Sequence, residues 1–283
     1  MAERFQLEVD GEAVASLRSF DGLDVEAEIA SRGVGPHNMP KKHVAAVRWT
    51  PGVATFGGGM GKGMYGWIAE ALDNGAATRS GSLAVPAVAG SPAWSLDFSG
   101  ARLSAVTFPT WDGSSKEAAL MAVEFAARQV RWGAAPVTAA ATAAARPAKA
   151  KEWLRSNFRV EIGNLPCSRV ARVEAFTWTC AADGTVTVPD IRLAISRADL
   201  AAWEEAARRW FIEGEHRDKH EMTGRITLLA PDAKDVLATI ELGNVGLRKF
   251  SHEDRTGGDD AIRRFAVELY VEKIGLTIAD SEA

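Results

Sequence analysis

The chain has 283 residues, 47% of them hydrophobic and 25% charged, with a formal net charge of −4. That composition fits a globular protein of one or two domains, and the acidic balance argues against a general nucleic-acid binder. Two cysteines, Cys167 and Cys180, cannot make a disulfide framework and read as buried thiols; no apolar run approaches the ~20 residues that span a bilayer, and the opening MAERFQLEVDGEA lacks the apolar core of a signal peptide.

Taken in order, Phe5, Leu7 and Val9 alternate with polar residues and run into Gly11, a strand and a turn. Leu17 to Ile29 continues the alternation. Ser31 to Lys42, rich in glycine and proline, reads as a polar tip, and His43 to Thr50 returns as a strand, so the whole predicts a long hairpin. Pro51 to Gly63 reads as a second, glycine-rich loop. Met64, Trp67, Ile68, Ala71 and Leu72 then fall on one face of a helix, with Gly75 placed for a left-handed C-terminal cap. Short strands are expected at 83–85 and 94–98. Residues 133–151, mostly alanine with prolines near both ends, read as a linker, since proline opposes a continuous helix.

Beyond it, 157–162 restart as a strand, followed by candidate strands at 185–188 and 191–195. Ser196 reads as an N-cap with Asp199 at the third helical position. Leu200, Trp203, Ala207, Trp210 and Phe211 make the apolar stripe of a helix expected to end at Gly214. Strands at 225–229 and 238–242 close the series.

The segment Leu96 to Trp132 occurs twice. It aligns without a gap on Ile240 to Leu276, at an offset of 144 (240 − 96). Phe98 falls on Leu242, Leu103 on Leu247, and Ala122-Val123-Glu124-Phe125 on Ala266-Val267-Glu268-Leu269. Both copies switch alternation together, before Val130 and before Ile274, which predicts a long bent strand ending each half. Phe5 aligns with Phe158 at an offset of 153 (158 − 5), so the second half has lost 9 residues (153 − 144), where the first half has its hairpin. The expected fold is mainly β (α+β): two tandem β-sandwich or partly closed barrel domains, each with one flanking helix and a hairpin. The expected bounds are 1–132 and 152–283, with 133–151 as linker and a shortened hairpin in the second domain.

Candidate chemistry is thin. Gly61-Lys62-Gly63-Met64-Tyr65-Gly66 fits G-x-G-x-x-G, but no parallel β-α-β unit surrounds it. Glu213, His216 and His220 have helical spacing for a metal, yet follow Gly214's neighbourhood in a charged run that reads as a solvated loop. No nucleophile–base constellation can be placed, so no catalytic, cofactor or metal residue is assigned.

The first half resembles tail tube proteins of contractile phage tails and of extracellular contractile injection systems. The resemblance lies in FQLEVDGEAVASLRSFDGLDVEAEI, in Lys41, Lys42, Val47 and Arg48, in Gly63-Met-Tyr-Gly-Trp-Ile68, and in Trp94-Ser-Leu-Asp-Phe98, Ala101 and Val123-Glu-Phe125. It implies small β-sandwiches that close into hexameric rings and stack into a tube, gripped by a sheath and founded on a baseplate. It also implies DNA or effector cargo in the lumen, no enzymatic activity, no cofactor, and a place in a virion tail or injection device assembled in the bacterial cytoplasm. Duplication suggests a trimer acting as a pseudo-hexamer, with a homohexamer as the alternative. A baseplate hub or tube-initiating ring is a second reading, and a partner-binding module without a tube a third. The residues expected at ring-to-ring contacts are Gly33, Val34, Gly35, Pro36, His37, Asn38, Pro40, Lys41 and Lys42 at the hairpin tip, and Gly57, Gly59, Gly61 and Lys62 in the glycine loop.

Overall fold

The computed structural model describes residues 6–14, 17–34, 37–57, 60–75, 77–85, 94–134, 153–252 and 264–279. The first half contributes β1 (Gln6–Val9), β2 (Glu12–Val14), β3 (Leu17–Gly22), β4 (Val25–Val34), β5 (Met39–Trp49), β6 (Gly52–Phe56) and α1 (Lys62–Asn74). It continues with β7 (Thr78–Val85), β8 (Trp94–Phe108), β9 (Trp111–Asp112), β10 (Met121–Ala126) and β11 (Gln129–Ala134). The second half contributes β12 (Phe158–Ile162), β13 (Val170–Val173), β14 (Phe176–Cys180), β15 (Val186–Thr187), β16 (Ile191–Ser196) and α2 (Leu200–Phe211), then β17 (Met222–Leu229), β18 (Val236–His252) and β19 (Arg264–Ile278). The protein is mainly β, as the alternating patterns require.

Two large antiparallel sheets follow the same plan. The first runs β2-β1-β7-β8-β10-β6-β3, with β11 also on β8; the second runs β12-β17-β18-β19-β16-β13. Their registers coincide. Leu7 pairs with Leu83 as Val160 pairs with Ile226. Phe98 pairs with Val130 as Leu242 pairs with Ile274, and Leu103 with Phe125 as Leu247 with Leu269. Ala54 pairs with Val123 and Phe20 as Leu193 pairs with Val267 and Val173.

The irregularities coincide too. Pairing skips Ser104 in β8 and Arg248 in β18, residues 144 apart, and it shifts between Leu17 and Ser19 as between Val170 and Arg172. At the bend, Gly100 has φ 59° and Asn244 φ 54°. Both residue types tolerate the left-handed region, where a bulky side chain would be strained. Beside this bend the buried face changes sides along the long strands, with the register unbroken: Val271 and Ile274 are both buried, with Glu272 and Lys273 exposed between them. Tight strand approach recurs as well. A Cβ on Gly81 would lie 2.1 Å from Glu8 O, and one on Gly224 would lie 2.6 Å from Ile162 Cδ1.

The helices cover the sheets with aromatic faces. Trp67 on α1 is fully buried, with its ring centroid 5.7 Å from that of Phe125, and Trp203 on α2 sits 6.4 Å from Phe265. Gly75 closes α1 at φ 67°, donating its N–H to Ala71 O, as its position predicts. Both thiols are free and buried.

Four local expectations are corrected. Pro51 to Gly63 is not one loop: Gly52–Phe56 is a central strand, with Gly52, Ala54 and Phe56 buried, because side-chain alternation outweighs the glycine-rich context. Ser31 to Lys42 is not all loop, since the β4–β5 ladder continues to Val34 opposite Met39. Asp199 does not complete a capping box; its carboxylate meets Arg169 Nη1 at 3.0 Å, while Ser196 Oγ caps a short 3-10 turn by accepting from Ala198 N. Finally, α2 ends at Phe211 rather than Gly214. Apart from Gly133 and Ala134, which extend β11, the expected linker 133–151 lies outside the described residues.

Candidate assembly surfaces

The two halves are joined by exchanged strands. β14, from the second half, adds to the edge of β8 in the first: Phe176 pairs with Phe108, Thr177 with Thr107, Trp178 with Val106 and Thr179 with Ala105. In return β9, from the first half, adds to the edge of β13, with Trp111 opposite Val173. Each exchange pairs backbone groups that a bare sheet edge would leave open. FTWTC alternates perfectly, with Phe176, Trp178 and Cys180 buried. Phe176 stacks on Phe108 at 4.8 Å and lies 6.0 Å from Trp111, which is fully buried. The Thr107 and Thr177 hydroxyls are 2.9 Å apart, and Arg102 Nη2 donates to Ala181 O at 2.5 Å. α1 also packs against β19 of the second half.

The β4–β5 hairpin belongs to neither large sheet. Val25 and Trp49, then Ala27 and Val47, are cross-strand pairs on one of its faces. Val25, Ile29, Val44 and Val47 are 43–62% exposed, an apolar face with no sheet of this chain beneath it among the described residues. The opposite face is charged: Glu26 meets Arg48 at 3.0 Å, an exposed pair that adds little stability.

Of the residues expected at ring contacts, Gly33, His37, Asn38, Pro40, Lys41 and Lys42 are exposed at the hairpin tip. A Cβ on Gly33 would strike the Asn38 side chain at 1.6 Å, and Asn38 has φ 48°, so these two shape the turn. Val34 ends β4; Gly35, Pro36 and Gly59 lie outside the described residues. Gly57 follows β6, and Gly61 and Lys62 open α1, where a Cβ on Gly61 would lie 3.3 Å from Ala13 O. The hairpin tip and the glycine loop are therefore separate features. Alternation alone singles out neither β13 nor β14 as a strand that pairs outside its own half, although FTWTC carries the signal of an additional strand.

The segment holding Glu213, His216 and His220 is not helical throughout. Glu213 pairs with Arg208, and His216 Nδ1 lies 2.8 Å from Trp210 O. A cavity of about 460 Å³ at the base of the hairpin is lined by Phe20, Leu23, Asp24, Leu83, Trp94 and Trp132. Its aromatic walls suit packing; Asp21, Asp24 and Ser95 are its polar lining, and no histidine, lysine or cysteine lines it with them.

Burial is the largest influence on two ionisable groups, Cys167 and Tyr270. It pushes the Cys167 thiol up to about 11, so this sulfur stays protonated and unreactive at neutral pH. Burial first, and then donation to Glu221 Oε1 at 2.8 Å, push Tyr270 up to about 12. The folded state therefore favours neutral Tyr270. The stability this contributes is present below the unfolded tyrosine pKa of about 10 and is lost as pH rises through about 12. Spectrophotometric titration of the protein's two tyrosines should show a step near pH 12 that Tyr270→Phe removes; complete ionisation of both near pH 10 would contradict this.

No protein-family profile matches the sequence, and no curated protein does. Solved structures similar to the chain include the sheath–tube complex of the PVC extracellular contractile injection system (21% identity, TM-score 0.40), over 48% of this chain and 91% of that one. The tube-terminating cap of the anti-feeding prophage is similar at 22% identity and a TM-score of 0.39, over 48% of this chain and 91% of that one. Hcp1 of Flavobacterium johnsoniae is similar at 15% identity and a TM-score of 0.30, over 46% of this chain and 95% of that one. Each of these neighbours thus spans about half of this chain.

Proposed function

We propose that the chain is a structural protein of a contractile tail or injection device, in which two tandem tube-type domains, the product of a duplication, supply adjacent positions of one ring. The observation that carries this reading is the coincidence of register, bulges and bend between the halves, together with the strand exchange that joins them. Such a joint is heterologous: what one half offers, the other accepts. Repeated, it closes a ring and removes sheet edges. Three chains would then supply six domains around a lumen for DNA or effector cargo, with a sheath outside and a baseplate below, and the chain acts without catalysis or a cofactor.

A second reading, a hub or tube-initiating ring, is favoured by one contrast. The hairpin of the first half has strands of 10 and 11 residues, its counterpart in the second half strands of 5 and 2. A ring alternating long and short hairpins offers threefold contacts to the next layer, which suits a change of symmetry. Deleting residues 34–38 should leave rings intact and abolish their stacking, as seen by electron microscopy; tubes of normal length from that variant would overturn the stacking role.

A further inference from the structure

The joint between the halves is a template for a joint that the chain has not made. Several of its elements have counterparts in the other half, fixed by the common register. β8 corresponds to β18, β14 to β4, and α1 to α2. Among the described residues, what the joint covers in one half stays bare in the other. The β8 edge at 105–108 carries β14, whereas the matching edge of β18, at 249–252, carries no strand on its outer side among the described residues. β13 carries β9, whereas its counterpart β3 ends the first sheet among the described residues. Leu72 on α1 is 7% exposed, while its counterpart Phe211 on α2 is 43% exposed and Ile212 beside it 80%.

We infer that the bare surfaces are covered by a second copy of this chain: β4 of one chain adds antiparallel to the β18 edge of the next, repeating the β14–β8 pairing. Transferring the register puts Val25 opposite Phe250 and Glu26 opposite Lys249. The chemistry supports this alignment. The buried face of β14 (Phe176, Trp178, Cys180) maps onto the apolar face of β4 that begins with Val25 and Ala27, so that face turns inward. The threonine–alanine pair Thr179–Ala105 becomes the opposite charges Glu26 and Lys249, both exposed. An edge strand adding to an open edge gains main-chain hydrogen bonds, while side chains set the register. The base of the hairpin thus joins neighbours around a ring, leaving its tip free for the next layer.

This inference deepens the ring reading and takes from it the count of three chains. The test mixes two full-length variants, Glu26→Cys and Lys249→Cys, and oxidises mildly; the native thiols are buried and do not compete. The expected product is a disulfide-linked dimer in the mixture, at least tenfold more abundant than with either variant alone or with Glu28→Cys in place of Glu26→Cys. Glu26→Lys should weaken association at least tenfold, and Lys249→Glu in the same chain should restore it. Rings that form without the cross-link and without charge-swap rescue would overturn this pairing and leave the ring reading standing. A chain that stays monomeric by sedimentation at high concentration, with no cross-link, would overturn both.

Discussion

Phe176→Ala should lower the stability of the folded chain by ~3–5 kcal/mol, the usual loss for emptying a packed aromatic site. The ring is 4% exposed and stands where three elements meet across the halves, stacked on Phe108 and beside Trp111. Its loss leaves a cavity in the seam instead of in either sheet, so calorimetry should resolve two transitions where the parent chain is expected to give one. Phe176→Leu, which keeps most of the volume, should cost about 1–2 kcal/mol and preserve a single transition. A loss under 1 kcal/mol for the alanine variant would mean that the strand exchange does not couple the halves.

The second large effect is on association, not folding. Val25→Asp combined with Val47→Asp places two carboxylates on the apolar face of the hairpin, at positions 43% and 62% exposed. Folded-state stability should change by no more than ~0.5 kcal/mol, as for most surface substitutions. Burying those charges against a neighbouring chain, however, costs several kcal/mol unless they are paired, so assembly should weaken on the order of 100-fold or more. Sedimentation velocity over a concentration series reads this directly. Unchanged assembly would show that the apolar face of the hairpin is not a joint. Deletion at the tip and charge at the base thus separate stacking from ring closure.

Much of this arrangement is legible in the sequence because hydrophobic alternation survives where identity does not. The ungapped alignment of Leu96–Trp132 on Ile240–Leu276 anticipates the shared register, and the joint switch of alternation before Val130 and Ile274 falls beside Gly100 and Asn244; the long bent strand it predicts is continuous in the second half, while in the first it breaks into β10 and β11. The C-terminal cap at Gly75 is equally local. The strand at Gly52–Phe56 is hidden by its glycine and proline neighbours, although Gly52, Ala54 and Phe56 keep the period of two. The exchange of β9 and β14 is illegible for a different reason. Alternation tells a strand which face it buries, but an edge strand's partner is chosen by which backbone edge lies open in three dimensions, and no local pattern encodes that. The hairpin tip is likewise visible as a turn, while its distance from the glycine loop at Gly57–Lys62 depends on tertiary placement.

The central claim is that two tube-type halves in one chain count as two positions of a ring. Native mass spectrometry of the purified chain, with negative-stain imaging of the same sample, tests it most directly. The account predicts a mass of three chains and rings of six lobes with alternating long and short projections. A stable monomer at high concentration, or a ring of six chains with twelve lobes or with half of each chain outside the ring, would contradict it.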